Sequence, residues 1–281
     1  MLRIAVPNKG SMAGPAATLL HEAGYPTRGD GGRELVLTDP TNGIEFFYLR
    51  PRDIAVYVGS GQLDIGITGR DLLIDSAAAA AEIMPLGFAR STFHFAAAPG
   101  TTLDDLPDAA IATSYPGIVA KHLAERGIHP RQIVRLDGAV ETALRLGVAE
   151  VIADVVETGA TLAAQGLTIL GDPIMTSEAV VIRPSGAATS TVADRFLSRL
   201  RSVLVARDYV MVDYDIPTKA LEAAVALTPG LESPTISPLH RDGWHAVSAL
   251  VPTGEFQSVM DQLQAIGARA VLATTVRAFR R

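Results

Sequence analysis

The 281 residues are 48% hydrophobic and 19% charged, the make-up of a folded chain with ample core. Acids outnumber bases 30 to 24, so the net charge of −6 lacks the basic surplus of a general nucleic-acid binder. Cysteine is absent, which excludes disulfides, thiolate metal sites, iron–sulfur clusters and a cysteine nucleophile.

The length suggests two or three domains. Residues 2–7 form an apolar run that predicts a buried strand, and 12–24 carry apolar residues at helical spacing (Ala16, Leu19, Leu20, Ala23) before Gly24. Residues 34–38 and 44–49 predict paired strands around the turn signal Asp39-Pro40-Thr41-Asn42-Gly43. A short helix is expected over 52–58, then a strand over 63–68 that leads through Gly69-Arg70-Asp71 into a second short helix. The pattern restarts past residue 90. Strands are expected at 111–113, 133–136 and 150–156, with helices at 116–125 and 140–146. Strand alternating with helix implies largely parallel α/β layers, here in two lobes with a cleft. From Glu178 the chain is expected to return to the first lobe and enter a long helix over 190–206. The last segment reads as strand 210–214, helix 218–226, strands 233–239 and 245–251, helix 255–266 and strand 270–276, the βαββαβ order of a ferredoxin-like domain. The expected division is lobe I at 1–90 and 180–209, lobe II at 91–179, and a C-terminal domain at 210–281.

No charged segment followed by a long apolar run opens the chain, and its longest bland stretch, 77–81, is far short of the ~18 apolar residues of a membrane span. A cytoplasmic protein without membrane or nucleic-acid partners is expected.

The segment 141–162, ETALRLGVAEVIADVVETGATL, carries the chemistry. A hydrophobic strand reaches Asp154, and Thr158-Gly159-Ala160-Thr161 opens the next helix. Unpaired N–H groups of a first helical turn make an anion cradle, Gly159 permits close backbone approach, and Thr158 and Thr161 add hydroxyl donors. Asp154 is placed to accept from vicinal ribose hydroxyls while the loop holds a 5-phosphate. Glu157 sets a negative charge inside the loop, pointing to solvent or helping to hold a metal or the ribose.

This segment resembles the signature of the ATP phosphoribosyltransferase family. Glu141, Gly147, Ala149, Ile152, Asp154, Thr158, Gly159, Thr161 and Leu162 fill its positions. PNKG at 7–10, FFYLRPRDIAVYVGSGQLDIGITGRD at 46–71 and LESPTISPL at 231–239 are similar to the family too, and the tail resembles the long, self-regulated form. The resemblance implies a two-lobed fold like that of periplasmic binding proteins. It implies attack by N1 of ATP on C1 of phosphoribosyl pyrophosphate (PRPP), with Mg²⁺ carried on the pyrophosphate. It further implies feedback inhibition by histidine at the C-terminal domain, a homo-oligomer from dimer to hexamer, and AMP or ADP as competitors.

An acidic chain that handles two polyphosphates needs a local basic cluster. Lys9, Arg50, Arg52 and Arg70 all lie at strand-to-helix junctions. Lys9 and Arg50 are candidates at the transferring centre. Arg52, Arg70, Asp71 and Tyr115 are candidates for ATP, Asp71 toward the adenine amino group or a ribose hydroxyl and Tyr115 as a stacking ring. No general base is assigned, since adenine N1 is already a nucleophile. The histidines show no tight metal spacing. In the tail, Asp215, Ser233, Thr235 and Ala270 are candidates for a histidine site. A solute-binding protein, a regulatory subunit without catalysis and another phosphoribosyltransferase remain as alternatives; the last commonly carries two adjacent acids where this chain has Asp154 preceded by Ala153.

Overall fold

The computed structural model describes residues 1–29, 32, 34–156 and 160–280, with the side chains of Ala160 and Thr161 outside that set. In chain order the elements are β1 (Leu2–Pro7), α1 (Ala13–Glu22), β2 (Val36–Asp39), β3 (Ile44–Leu49), α2 (Pro51–Gly59), β4 (Ile65–Gly69), α3 (Arg70–Ser76), β5 (Ala80–Pro85), β6 (Ser91–Ala97), β7 (Ala110–Thr113), α4 (Pro116–Glu125), β8 (Gln132–Arg135), α5 (Thr142–Arg145) and β9 (Val151–Val156). They continue with α6 (Ala160–Ala164), β10 (Thr168–Ser177), β11 (Ala179–Pro184), α7 (Thr191–Arg207), β12 (Tyr209–Pro217), α8 (Leu221–Leu227), β13 (Thr235–Pro238), β14 (Trp244–Pro252), α9 (Phe256–Ala265) and β15 (Arg269–Thr275). A 3₁₀ segment over Leu103–Asp108 precedes β7.

Contacts divide the chain into two compact units, one of residues 1–18 and 26–193 and one of residues 19–25 and 194–281. The second unit thus takes in most of α7, which the sequence reading assigned to lobe I.

The first unit holds two sheets. One has the order β2-β3-β1-β4-β11-β5, the other β10-β6-β9-β7-β8. The chain therefore crosses between them twice, from β5 to β6 and, through Glu178 alone, from β10 to β11. Strands β3, β1 and β4 run parallel, as the alternating pattern predicts, and so do β8, β7 and β9. The sheets are nevertheless mixed. β11 is antiparallel to β4 and β5, and β6 is antiparallel to β9 and β10. The reason is connectivity: these strands enter from the other sheet without the helical crossover that enforces a parallel neighbour. The central strand β4 is buried at every position, the pattern of a strand covered on both faces. α2 seals it by setting Ile54 and Val58 against β4, Val180 and Ile182.

The second unit carries a sheet of order β13-β14-β12-β15 with every neighbour antiparallel, the ferredoxin-like arrangement. Val212, Tyr214 and Ile216 alternate along β12 toward α8 and α9, where Ala224, Val259 and Leu263 complete the core. Asp213 and Asp215 consequently point to the opposite face. Among the described residues, no helix is long and apolar enough to cross a membrane.

Candidate active site

Three neighbouring strands of the first sheet end side by side. Pro7 of β1 is in register with Leu49 of β3, and Asn8 N–H donates to Leu49 O at 2.9 Å, so Lys9 and Arg50 leave adjacent strand ends. Both are exposed, and among the described residues neither makes an ion pair. Arg28 secures the Asn8 turn. It donates from Nη2 to Asn8 O at 2.8 Å while its guanidinium lies 4.6 Å from the centroid of Tyr48.

β4 ends beside them. Thr68, fully buried, donates from Oγ1 to Pro51 O at 2.7 Å and so locks the start of α2 to the end of β4. Gly69 then turns the chain into α3. Arg70 points back along the sheet, where Glu82 holds it through two bonds of 2.8 and 2.7 Å and Glu178 through a third of 3.2 Å. These carboxylates raise the Arg70 pKa above its ordinary value. Glu178 also accepts Gly87 N–H at 2.9 Å, so the ion-paired group ties β4 and β5 to both crossings between the sheets. Beside it, Arg70, Arg90, Ser91, Thr92, Thr176 and Ser177 line a cavity of about 400 Å³.

Asp71 is buried. Ser177 Oγ donates to its Oδ1 at 2.7 Å and accepts its N–H at 3.0 Å. Tyr115 opens α4 with its ring edge against Phe93, 5.3 Å between centroids, and its N–H donates to Thr113 Oγ1 at 2.9 Å. Burial, and then the Asp71 carboxylate, push its phenol pKa well above the usual value. Arg52 places its guanidinium 4.8 Å from the same ring and donates to Asp75 Oδ2 at 2.8 Å.

Asp154 lies on β9 opposite His94 of β6. Burial raises its carboxyl above the ordinary range. The Val155 N–H at 2.8 Å opposes this, Glu141 adds to it, and Arg52 opposes it. Burial likewise lowers His94, whose Nδ1 has no hydrogen-bond partner among the described residues. The structure therefore brings Arg52, Asp71, Tyr115 and Asp154 into one electrostatic neighbourhood. Of the remaining predicted loop, Glu157, Thr158 and Gly159 lie outside the described residues, as do the side chains of Ala160 and Thr161. Sequence reasoning missed Ser177, Asp75, Glu82 and Glu178. Each is an ordinary polar residue locally, and only long-range pairing gives it a role.

In the second unit, Asp215, Thr235 and Ala270 line one cavity of about 220 Å³ on the face away from the helices, together with Asp213, Ser237 and Leu272. Ser233 lines a neighbouring cavity of about 420 Å³, which Thr235 shares.

The family model for ATP phosphoribosyltransferase (HisG) matches residues 50–202, and that for the HisG C-terminal domain matches residues 206–278. The chain belongs to the ATP phosphoribosyltransferase family. The second match marks the long form of this family. An ATP phosphoribosyltransferase of Streptomyces avermitilis is 65% identical over 286 aligned positions, covering 100% of both chains. One of Salinispora tropica is 55% identical over 282, again covering 100% of both. A chain of the solved ATP phosphoribosyl transferase (HisG:HisZ) complex of Thermotoga maritima is 26% identical, with a TM-score of 0.64 over 73% of this chain and 99% of that one. An ATP phosphoribosyltransferase joins the phosphoribosyl group of PRPP to N1 of ATP and releases pyrophosphate, the first step of histidine biosynthesis. This chain is an enzyme of that kind.

Proposed function

We propose that the two substrates meet where the first sheet's strand ends face β9 and α4, with ATP on Arg52, Asp71 and Tyr115 and PRPP on Asp154 and the segment 157–161. The observation that carries this reading is the shared neighbourhood of Arg52, Asp71, Tyr115 and Asp154, drawn from four separate elements. Tyr115 offers a ring face with a cation beside it, suited to a purine. Asp71, already oriented by Ser177, accepts from the adenine amino group or a ribose hydroxyl. Asp154 accepts from the ribose 2- and 3-hydroxyls, and Thr158 and Thr161 donate to the 5-phosphate.

The bond from adenine N1 to C1 forms as the C1–oxygen bond breaks, and its electron pair leaves with pyrophosphate. Lys9 and Arg50 neutralise that charge. Their freedom from ion pairs among the described residues fits this task. Arg70, held by two carboxylates, orders the strand ends beside the ATP side.

Mg²⁺ belongs to the same reading. Among the described residues no group of three or more His, Cys, Asp or Glu side chains is placed to hold a metal. Mg²⁺ suits a few protein carboxylates plus substrate phosphates, so it enters on the diphosphate of PRPP.

The second unit is the histidine sensor. β15 bulges opposite Tyr214, where Asp213 pairs with Leu272 but Asp215 pairs with Arg269. Ala270 takes a left-handed φ of 49° there. Such a bulge frees backbone groups from the ladder beside Asp215, whose carboxylate suits an ammonium or imidazolium. Ser233 and Thr235 add hydroxyls. The reading extends to a cytoplasmic homo-oligomer, with AMP and ADP competing for the ATP side.

The test combines the purified protein with ATP, PRPP, Mg²⁺ and a pyrophosphatase, and follows the near-UV absorbance of the N1-alkylated nucleotide with and without histidine. A PRPP-dependent rise, lost in Asp154→Ala, reduced in Tyr115→Ala through KM for ATP, and suppressed by histidine, is expected. A rise unaffected by either substitution would place the substrates elsewhere. A rise indifferent to histidine would remove the sensor.

A further inference from the structure

We infer that Asp75 is a positioning residue for the nucleobase side of the site, acting through Arg52 and Tyr115, a reading that rests on the assignment of those two residues to ATP. α4 starts with an anomaly. Its N-cap residue is Tyr115, which makes no side-chain cap, and a tyrosine lacks the short side-chain acceptor that caps a helix. The first N–H groups of the helix still need partners. Asp75, near the end of α3, provides them across the two sheets' boundary. Its Oδ1 accepts Gly117 N–H at 2.8 Å and Ile118 N–H at 3.3 Å.

The other oxygen does a second job. Asp75 Oδ2 accepts from Arg52 Nη1 at 2.8 Å, and the Asp75 side chain is only 7% exposed. One carboxylate therefore joins α2, α3 and α4. Gly117 lets it approach, for a Cβ there would stand 2.5 Å from the Asp75 carbonyl oxygen. The consequence falls on Tyr115 twice. The N-cap position is relieved of capping, so it carries an aromatic ring instead. Arg52 is fixed 4.8 Å from that ring, where it also bears on Asp154. Without the Asp75 charge, a half-exposed arginine of this length would sample many rotamers.

Capping and charge are separable. Asp75→Asn keeps a side-chain oxygen for the two N–H groups and removes the charge that holds Arg52. In the full-length enzyme, Asp75→Asn is expected to raise KM for ATP about 5- to 20-fold, with KM for PRPP within about twofold and the thermal midpoint little changed. Arg52→Gln should raise KM for ATP similarly, and adding Asp75→Asn to it should cost little more, because both changes remove one interaction. An unchanged KM for ATP in Asp75→Asn overturns the inference. So does an equal rise for both substrates with a lowered thermal midpoint, which marks a purely structural role, or independent multiplication of the two effects. If Asp75→Asn does not fold, Asp75→Ser takes its place, since a hydroxyl oxygen still caps the helix without the charge and must still raise KM for ATP. A Tyr115→Ala enzyme with normal KM for ATP identifies the nucleobase assignment as the failing step, and the role of Asp75 falls with it.

Discussion

Ser177 and Asp71 answer each other twice: the serine hydroxyl donates to Asp71 Oδ1 at 2.7 Å and accepts the Asp71 backbone N–H at 3.0 Å. They are 106 residues apart, and both are buried. Ser177 is the last residue of β10, at the second crossing between the sheets, so this pair couples that crossing to the proposed ATP side.

Ser177→Ala removes the donor and leaves a buried carboxylate short of a partner. The expected loss is about 1–3 kcal/mol of stability, with a raised KM for ATP and little change in KM for PRPP. Thermal unfolding and steady-state kinetics on the same preparation check both. A normal KM for ATP would detach this pair from substrate binding.

Asp154 is held above the ordinary carboxylate range mainly by burial. Its ionised form is therefore disfavoured in the folded state, and the penalty is fully present once the pH exceeds the folded pKa. It fades as pH falls through that value toward the unfolded one. Asp154→Asn should thus unfold at a higher temperature than the parent at neutral pH, while losing activity with PRPP. The gain should shrink on acidification. A lower midpoint at neutral pH would show that the Val155 and Arg52 contacts outweigh burial.

Arg70 separates stability from binding. Arg70→Met leaves Glu82 and Glu178 facing each other without their cation. An intermediate cost of about 1–3 kcal/mol is expected, between the values for exposed and fully buried pairs. Glu82→Gln should cost less, since Glu178 still holds the guanidinium. Urea unfolding of the two variants orders them, and the reverse order would show that Glu178 by itself does not hold the guanidinium.

Gly66 lies where α2 presses on β4. A Cβ there would stand 2.5 Å from Ile54 Cγ2 and 2.9 Å from Val58 Cγ2. Gly66→Ala should cost about 1–3 kcal/mol through overpacking, and it displaces the helix that carries Arg52. Denaturant unfolding gives the loss directly. An unchanged midpoint would mean that α2 shifts freely.

Asp215→Ala should weaken inhibition by histidine and leave turnover near normal. An inhibition curve at fixed ATP and PRPP reads both. Loss of turnover with inhibition intact would reject the histidine site.

Much of this was legible locally. The apolar runs at 2–7 and 44–49 and the βαββαβ order of the tail read through because side-chain periodicity and turn residues are local signals. Asp154 could be singled out as a candidate because the strand-loop-helix pattern around it is a local signal. β5, β6 and β10 escaped because their burial comes from partners far along the chain. The composition of β5 (Ala-rich) and of β10 (polar and Gly-containing) gives no period of two. The antiparallel entry of β11 escaped for the same reason. Local sequence was also enough to mark Arg70 and Tyr115 as residues at strand-to-helix junctions. It could not say that Glu82 and Glu178 would hold the first, or that Asp75 would do the capping that frees the second. Those partners are 12, 108 and 42 residues away from the groups they meet. Such pairings exist only once the two sheets have packed and burial has made each carboxylate take the nearest cation or N–H in place of water.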